Sequence, residues 1–240
     1  MKDITMLIPL RLASKRLKGK PLLKIGGTPI FVHIFHNIKK YISSLYIATA
    51  DNKIIKVCEQ YNIPFIKTSH NPRNGSERIA EAVKIGGIVS PIIVDLQGDE
   101  IDADYDLIKG VVKTLIKHNA EVSTAISPIK KNEIKDEDTV KAVLGKNNKC
   151  IFFTRAHIPH FRNYARMKSS VYRHIGIYCY KRETLLKYSS LKPTYLERCE
   201  SLEQMRLIEN GIDIFGYITN KNYRKVDNIN EFNKIREKKI

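Results

Sequence analysis

The chain has 240 residues, 42 Lys plus Arg against 25 Asp plus Glu, and a net charge of +17. An apolar share of 42% excludes a disordered chain, and this length can bury a core without disulfide staples. No apolar run approaches the ~18–20 residues of a membrane span, which argues against membrane insertion. Cys58, Cys150, Cys179 and Cys199 show no C-x-x-C spacing, so a disulfide framework and a cysteine zinc site are disfavoured and a reducing, cytoplasmic setting is expected. The surplus charge predicts an anionic partner: nucleic acid, a membrane surface or a phosphorylated small molecule.

The first predicted strand is Ile4 to Pro9, too short for a signal peptide because Pro9 and Arg11 end it at once. Leu45–Thr49, Ile63–Lys67 and Pro91–Leu96 read as further strands whose weak alternation suits burial on both faces. Between them, Thr28 is expected to cap a helix starting at Pro29, and Asp51 one ending near Tyr61. Asn74 with Glu77 has capping-box spacing for a helix through Lys84, and Asp104 opens one reaching Lys117. Later strands are expected at Val122–Ser127, Val140–Leu144, Cys150–Phe153, Tyr172–Tyr180 and Ile212–Ile218. Thr194 with Glu197 begins a helix through Ile208, and Asn228 with Glu231 a C-terminal one. The βαβα order predicts an α/β, Rossmann-like, mostly parallel sheet in a single domain spanning 1–240. A small α+β lobe is expected at roughly 128–200.

Three places carry chemistry. The segment Ile8 to Leu22 holds Arg11, Lys15, Arg16, Lys18 and Lys20 without a carboxylate. A loop leaving a central strand is where open α/β sheets bind ligands, and guanidinium forks suit phosphate oxygens. Its rival reading is a solvated basic loop, and it is not a Walker loop, since Pro21 follows Gly19-Lys20. In Leu96-Gln97-Gly98-Asp99-Glu100, Asp99 lies at the end of the fourth strand, either as a Mg²⁺ ligand beside phosphates or as a turn residue, with Asp95 close by in the run. Asp227, before the last helix, is a second metal ligand or part of that helix's cap, and the sequence alone slightly favours the cap.

The loop resembles the I-P-A-R-x-x-S-x-R-L-x-G-K-P-L fingerprint of the 3-deoxy-manno-octulosonate (Kdo) cytidylyltransferases, the CMP-Kdo synthetases. Further matches follow in order. Asn74 to Glu81 resembles S-G-T-E-R-x-A-E, Leu96 to Glu100 V-Q-G-D-E, Phe153 to Pro159 F-S-R-A-x-I-P, and Arg173 to Tyr178 R-H-x-G-x-Y. Glu197, Glu200 and Leu202 to Arg206 fit E-x-x-E-x-L-E-Q-L-R.

The resemblance implies a fold of the nucleotide-diphospho-sugar transferase type and the transfer of CMP from CTP to an eight-carbon acid sugar, releasing pyrophosphate, for lipopolysaccharide synthesis. It implies that Leu10, Arg11, Arg16, Lys20, Asn74, Gly75, Ser76 and Arg78 bind the nucleotide, with Lys20 facing the leaving group. Asp99 and Asp227 would hold Mg²⁺, making Lys20, Asp99 and Asp227 the catalytic set. Gln97, Arg155, His174, Tyr178, Glu203 and Gln204 match positions lining the sugar site, Arg155 facing the sugar carboxylate. A homodimer through the 128–200 lobe is implied in the same way. Without the resemblance, His174 and Tyr178 read as core packing, and Glu197 and Glu203 as solvated helix pairs.

The departures are Leu10 for the family's Ala, Lys18 for a Pro, Ser76 for Thr, Ile101 for Pro and His160 for an aromatic residue. They leave the phosphate and metal positions intact and bear on the identity of the sugar. The 8-amino derivative of Kdo is one alternative and a nine-carbon acid sugar another. The remaining alternative, a nucleic-acid-binding protein, is motivated by charge alone, with no helix-turn-helix or zinc-finger spacing and lysines scattered over many segments.

Overall fold

A computed structural model describes residues 3–13, 17–160, 170–226 and 228–237. Arg16 and Asp227 lie outside the described residues.

The chain opens with β1 (Ile4–Pro9) and a short 3-10 turn at Lys20–Leu22, followed by β2 (Lys24–Ile25), β3 (Thr28–Pro29) and α1 (Ile30–Lys39). It continues with β4 (Leu45–Thr49), α2 (Asn52–Gln60), β5 (Phe65–Lys67), α3 (Gly75–Ile85), β6 (Ile92–Leu96), α4 (Tyr105–Lys117) and β7 (Val122–Pro128). The second half adds β8 (Lys141–Leu144), β9 (Lys149–Thr154), β10 (Val171–Lys181), α5 (Arg182–Ser190), α6 (Tyr195–Glu200), α7 (Met205–Glu209), β11 (Ile214–Ile218) and α8 (Ile229–Glu237).

Among the described residues, nine strands form one sheet in the order β5-β4-β1-β6-β10-β7-β11-β9-β8. The β5-β4-β1-β6 half is parallel, as the alternating first half predicts. The class is α/β, but the whole sheet is mixed: β10 runs antiparallel to β6, β7 and β8, and β9 antiparallel to β11 and β8. Strand β10 is long and changes neighbour: Val171–Arg173 pair with β8, whereas Ile177–Lys181 pair with β6. Since β8 pairs with both β9 and β10, the strands β10-β7-β11-β9-β8 close on themselves. The 128–200 stretch therefore shares β10 with the main sheet.

Both faces of the parallel half are covered, which explains its apolar runs. Along β1, Ile4, Met6 and Ile8 enter one core with Ile30, Phe31, Ile54, Leu107 and Phe232 from α1, α2, α4 and α8. Leu7 enters the other, with Ile79, Val83, Leu185 and Met205 from α3, α5 and α7. Gly110 stands inside α4 where a Cβ would lie 2.1 Å from the Tyr217 ring, so its absence lets the helix approach β11 closely.

One cap and one helix length are corrected, while the Thr194–Glu197 capping box forms as expected. Thr28 is not a helix cap: Gly26 and Gly27, at φ 56° and 85°, turn a hairpin that places Thr28 and Pro29 in β3, and Pro29 occupies the cap position. The helix expected from Thr194 to Ile208 is two helices, because Ser201 adopts the left-handed conformation at φ 52° and ends α6. Asn74, Asp104 and Asn228 cap as expected, each accepting the N–H three residues on at 2.9 Å. Helix α5 begins without a side-chain cap, so no local start signal in the sequence marks it.

Candidate active site

Strands β1, β4, β5 and β6 are parallel, so their carboxyl ends share one rim, and the loops that follow them meet there. The basic loop after β1 is tied to this rim. Leu10 N–H donates to the Ala48 carbonyl at 2.9 Å and Leu12 N–H to the Asp51 carboxylate at 2.9 Å. Asp51 heads α2 as expected, yet its carboxylate holds the neighbouring loop and makes no cap bond. Leu10 is buried, with a methyl 2.3 Å from where a Cβ on Gly98 would stand, so its bulk packs inward over the Gly98 backbone. Arg11 is exposed and donates to the Arg73 carbonyl at 3.4 Å. Lys20 returns to the rim and donates to Asp99 Oδ2 at 2.8 Å.

After β6, Val226 N–H donates to the Asp99 carbonyl at 3.1 Å, and the backbones of Lys225 and Glu100 pair in an isolated antiparallel β-bridge. Two buried acids, Asp95 and Glu100, lie near Asp99 in the chain. Glu100 accepts the Gly176 N–H at 2.7 Å through Oε1, while its buried Oε2 has no hydrogen-bond partner. Burial, then the Asp99 charge, pushes its carboxyl up to about 7. Asp95 is fully buried and accepts Gln97 Nε2 on both oxygens, at 3.1 and 3.2 Å. Burial and then the Glu203 charge raise its pKa well above the ordinary range, against the Gln97 bond.

The start of α3 meets the break between α6 and α7. Ser76 N–H donates to Glu203 Oε2 at 3.3 Å, and Ser76 Oγ lies 3.0 Å from the Tyr180 hydroxyl. Burial raises the Glu203 pKa against the Ser76 and Gly75 bonds. Gly75 permits a close approach, since a Cβ there would lie 2.7 Å from Gln97 Nε2. Gly176 likewise leaves room for Glu100 Oε1 and Gln97, at 3.0 and 3.1 Å from a would-be Cβ. Gln204 is buried at the head of α7. Arg78 is also buried, its Nη1 donating to Thr68 Oγ1 at 2.6 Å and to the Ser69 carbonyl at 3.1 Å, so it pins the loop after β5.

On β10, His174 Nε2 lies 2.9 Å from Thr124 Oγ1. The Thr124 hydroxyl donates its one proton to the Ile177 carbonyl at 2.7 Å, so His174 donates through Nε2 and Nδ1 keeps an acceptor lone pair. Burial, then the charges of Lys225, Arg173 and Arg155, lowers the imidazole to about 3, so it is neutral in the working range. Its ring packs against Phe153 at 5.3 Å and Tyr178 at 5.2 Å between centroids. Tyr178 is buried, and burial raises its phenol, which stays protonated. Arg155 donates to the Glu137 carbonyl at 3.0 Å, while Glu200 accepts its backbone N–H at 2.9 Å.

A buried charged network that residue spacing does not reveal lies beneath this cleft. Arg206, fully buried, pairs with Glu77 of α3 at 2.8 Å and with Glu197 of α6. Glu77 also holds Arg73, and these bonds lower its carboxyl although burial opposes them. The E-x-x-E-x-L-E-Q-L-R match contains Glu197 and Arg206, but only the fold shows that they face each other and Glu77. Among the described residues, no group of three or more His, Cys, Asp or Glu side chains forms a metal cage. Asp99 and the unpartnered Glu100 oxygen nonetheless fit a hard cation that takes one or two carboxylates and completes its shell with phosphate and water.

The arrangement is similar to known proteins. A family profile described as Cytidylyltransferase matches residues 5–214. A 3-deoxy-manno-octulosonate cytidylyltransferase of Fusobacterium nucleatum subsp. nucleatum is 39% identical, covering 87% of this chain and 85% of that protein. An 8-amino-3,8-dideoxy-manno-octulosonate cytidylyltransferase of Shewanella pealeana is 34% identical, covering 94% of each. A solved structure of CMP:2-keto-3-deoxy-manno-octonic acid synthetase complexed with CTP superposes with a TM-score of 0.87 at 29% identity, over 98% of this chain and 97% of that one. Profile, relatives and fold agree with the six collinear motifs, and the chain belongs to the cytidylyltransferase family, among its 3-deoxy-manno-octulosonate members.

Proposed function

We propose that this nucleotidyltransferase moves CMP from CTP onto the anomeric hydroxyl of 3-deoxy-manno-octulosonate and releases pyrophosphate, for lipopolysaccharide synthesis. The observation that carries the reading is the meeting of Lys20 with Asp99, 2.8 Å apart, on the rim where Ser76 also meets Glu203. Arg11, Arg16 and Lys20 hold the triphosphate, and Lys20 neutralises charge that develops on the leaving pyrophosphate. Asn74, Gly75 and Ser76 face the cytidine, with Leu10 and Arg78 supporting the wall from behind.

Asp99 and Asp227 hold Mg²⁺, which when bound supplies Lewis acidity at the α-phosphate. Lys20 neutralises Asp99 in the substrate-free protein, and the same ammonium would turn to phosphate once CTP is bound. On the sugar side, Arg155 takes the carboxylate. Neutral His174 accepts a hydroxyl at Nδ1, while Tyr178, Gln97, Glu203 and Gln204 bind the remaining hydroxyls.

Incubation with CTP, Mg²⁺ and Kdo is expected to release pyrophosphate. The panel includes the other nucleoside triphosphates, the 8-amino sugar and a nine-carbon acid sugar. No release with any octulosonate sinks the proposal, and preference for the 8-amino sugar reassigns the substrate within the family. The active species is proposed to be a cytoplasmic homodimer, tested by light scattering. Nucleic acid and membrane are proposed not to be partners, since CTP and the acid sugar answer the demand for anions. Filter binding that persists at physiological salt would contradict this.

A further inference from the structure

Tyr188 lies in α5, which no sequence motif singles out, and its ring is fully buried. Its hydroxyl accepts Asn74 Nδ2–H at 2.8 Å and donates to the Glu203 carbonyl at 3.2 Å. A phenol has one proton to give, and here it goes to the residue that carries the carboxylate bonded to Ser76. The same Asn74 caps α3 through its other side-chain atom. One hydroxyl thus spans the start of α3 and the α6–α7 break. The guanidinium of Arg206 lies over the ring at 4.4 Å and is itself clamped by Glu77 and Glu197, so the ring has no freedom to swing.

We propose that Tyr188 is a positioning residue that fixes the spacing between the nucleotide side of the cleft, at Asn74, and the sugar side, at Glu203, and thereby couples binding of the two substrates. The proposal rests on the reading that Asn74 to Ser76 faces cytidine and Glu203 faces the sugar. A shift on one side is carried to the other through two hydrogen bonds to a single oxygen, and such coupling is reciprocal.

The test is Tyr188→Phe, which keeps the ring under Arg206 and removes both bonds. KM for CTP and KM for the acid sugar should each rise about 3- to 10-fold, the worth of one or two modest hydrogen bonds, with a smaller change in kcat and a melting temperature close to that of the wild type. Asn74→Ser keeps an oxygen for the α3 cap and loses the amide donor to Tyr188, together with its long contact to Glu197 Oε1 at 3.5 Å. It should raise the KM for the sugar in the wild-type background and leave that KM unchanged when added to Tyr188→Phe. Unchanged KM values in an active Tyr188→Phe enzyme overturn the proposal, as does a fall in melting temperature without a KM change. An effect of Asn74→Ser on the sugar KM that persists in full in the double variant also overturns it. Should Tyr188→Phe fail to fold, Asn74→Ser alone decides, an unchanged sugar KM being the overturning result. A wild type that releases no pyrophosphate overturns the functional reading and this proposal with it, and so is distinguishable from failure of the coupling alone.

Discussion

Lys20 brings its ammonium within 2.8 Å of a carboxylate oxygen of Asp99, across 79 residues of sequence. The pair joins the two loops that follow β1 and β6. Both side chains are largely but not wholly shielded, at 15% and 23% exposure, so each stays within reach of a ligand. Asp99→Asn keeps the shape and removes the charge. Turnover is expected to fall about 100- to 1000-fold while the melting temperature moves little. Pyrophosphate release and a thermal melt on the same preparation check both halves, and a near-normal rate would remove Asp99 from the reacting centre.

His174 gives a pH dependence whose sign follows from its buried, neutral state. Its pKa is lowered to about 3 in the fold against 6.5 for the free side chain. Between those values the unfolded chain holds a proton that the folded chain lacks, so stability is full above about pH 6.5 and is lost as pH falls through the window. This group contributes a slope of up to about 1.4 kcal/mol per pH unit. In His174→Gln the loss of stability between pH 6.5 and pH 4.5, followed by urea denaturation, should be shallower than in the wild type.

Asp95 acts in the opposite direction. Burial and the neighbouring Glu203 raise its pKa, so folding favours its protonated form. Stability from this group is present below the ordinary carboxylate pKa and is lost as pH rises towards the raised value. Asp95→Asn replaces the acid by a neutral side chain of the same shape that still bonds Gln97. It should gain stability relative to the wild type at pH 8 and gain little or none at pH 4, measured by urea midpoints. Equal effects at both pH values would show that the carboxyl is ionised in the fold.

The buried network of Arg206 with Glu77 and Glu197 is expected to be expensive to break from one side only. Arg206→Leu takes the buried cation from Glu197 and leaves Glu77 only the half-exposed Arg73, and should cost about 3–5 kcal/mol of stability. Equilibrium urea denaturation measures it, and a loss below about 1 kcal/mol would place the network among surface pairs in its worth.

The sequence carried most of the fold's local content. The strands β1 and β4 lie where their apolar runs predict, and Asn74, Asp104 and Asn228 cap helices through short-range bonds that the spacing alone specifies. Signals failed where another segment, distant or adjacent, claimed the same residue first. Asp51 has the chemistry of a cap, but its carboxylate is taken by Leu12 N–H from another loop. Thr28 has it too, but two consecutive glycines turn the chain into a hairpin first.

For the site, residue types and spacing identified the cations, the carboxylates and the family, because those groups must be present in kind for the chemistry to occur. Their partners were decided only in three dimensions. Nothing in the sequence distance between Asn74, Tyr188 and Glu203, or between Glu77, Glu197 and Arg206, says that they meet, and they do so because α3 and α5 pack on one face of the sheet while Ser201 breaks the helix that follows. Hydrogen bonds and burial are properties of proximity. The sequence determined which chemical groups this protein has, and the packing of helices on a shared sheet decided which of them are charged, neutral or coupled.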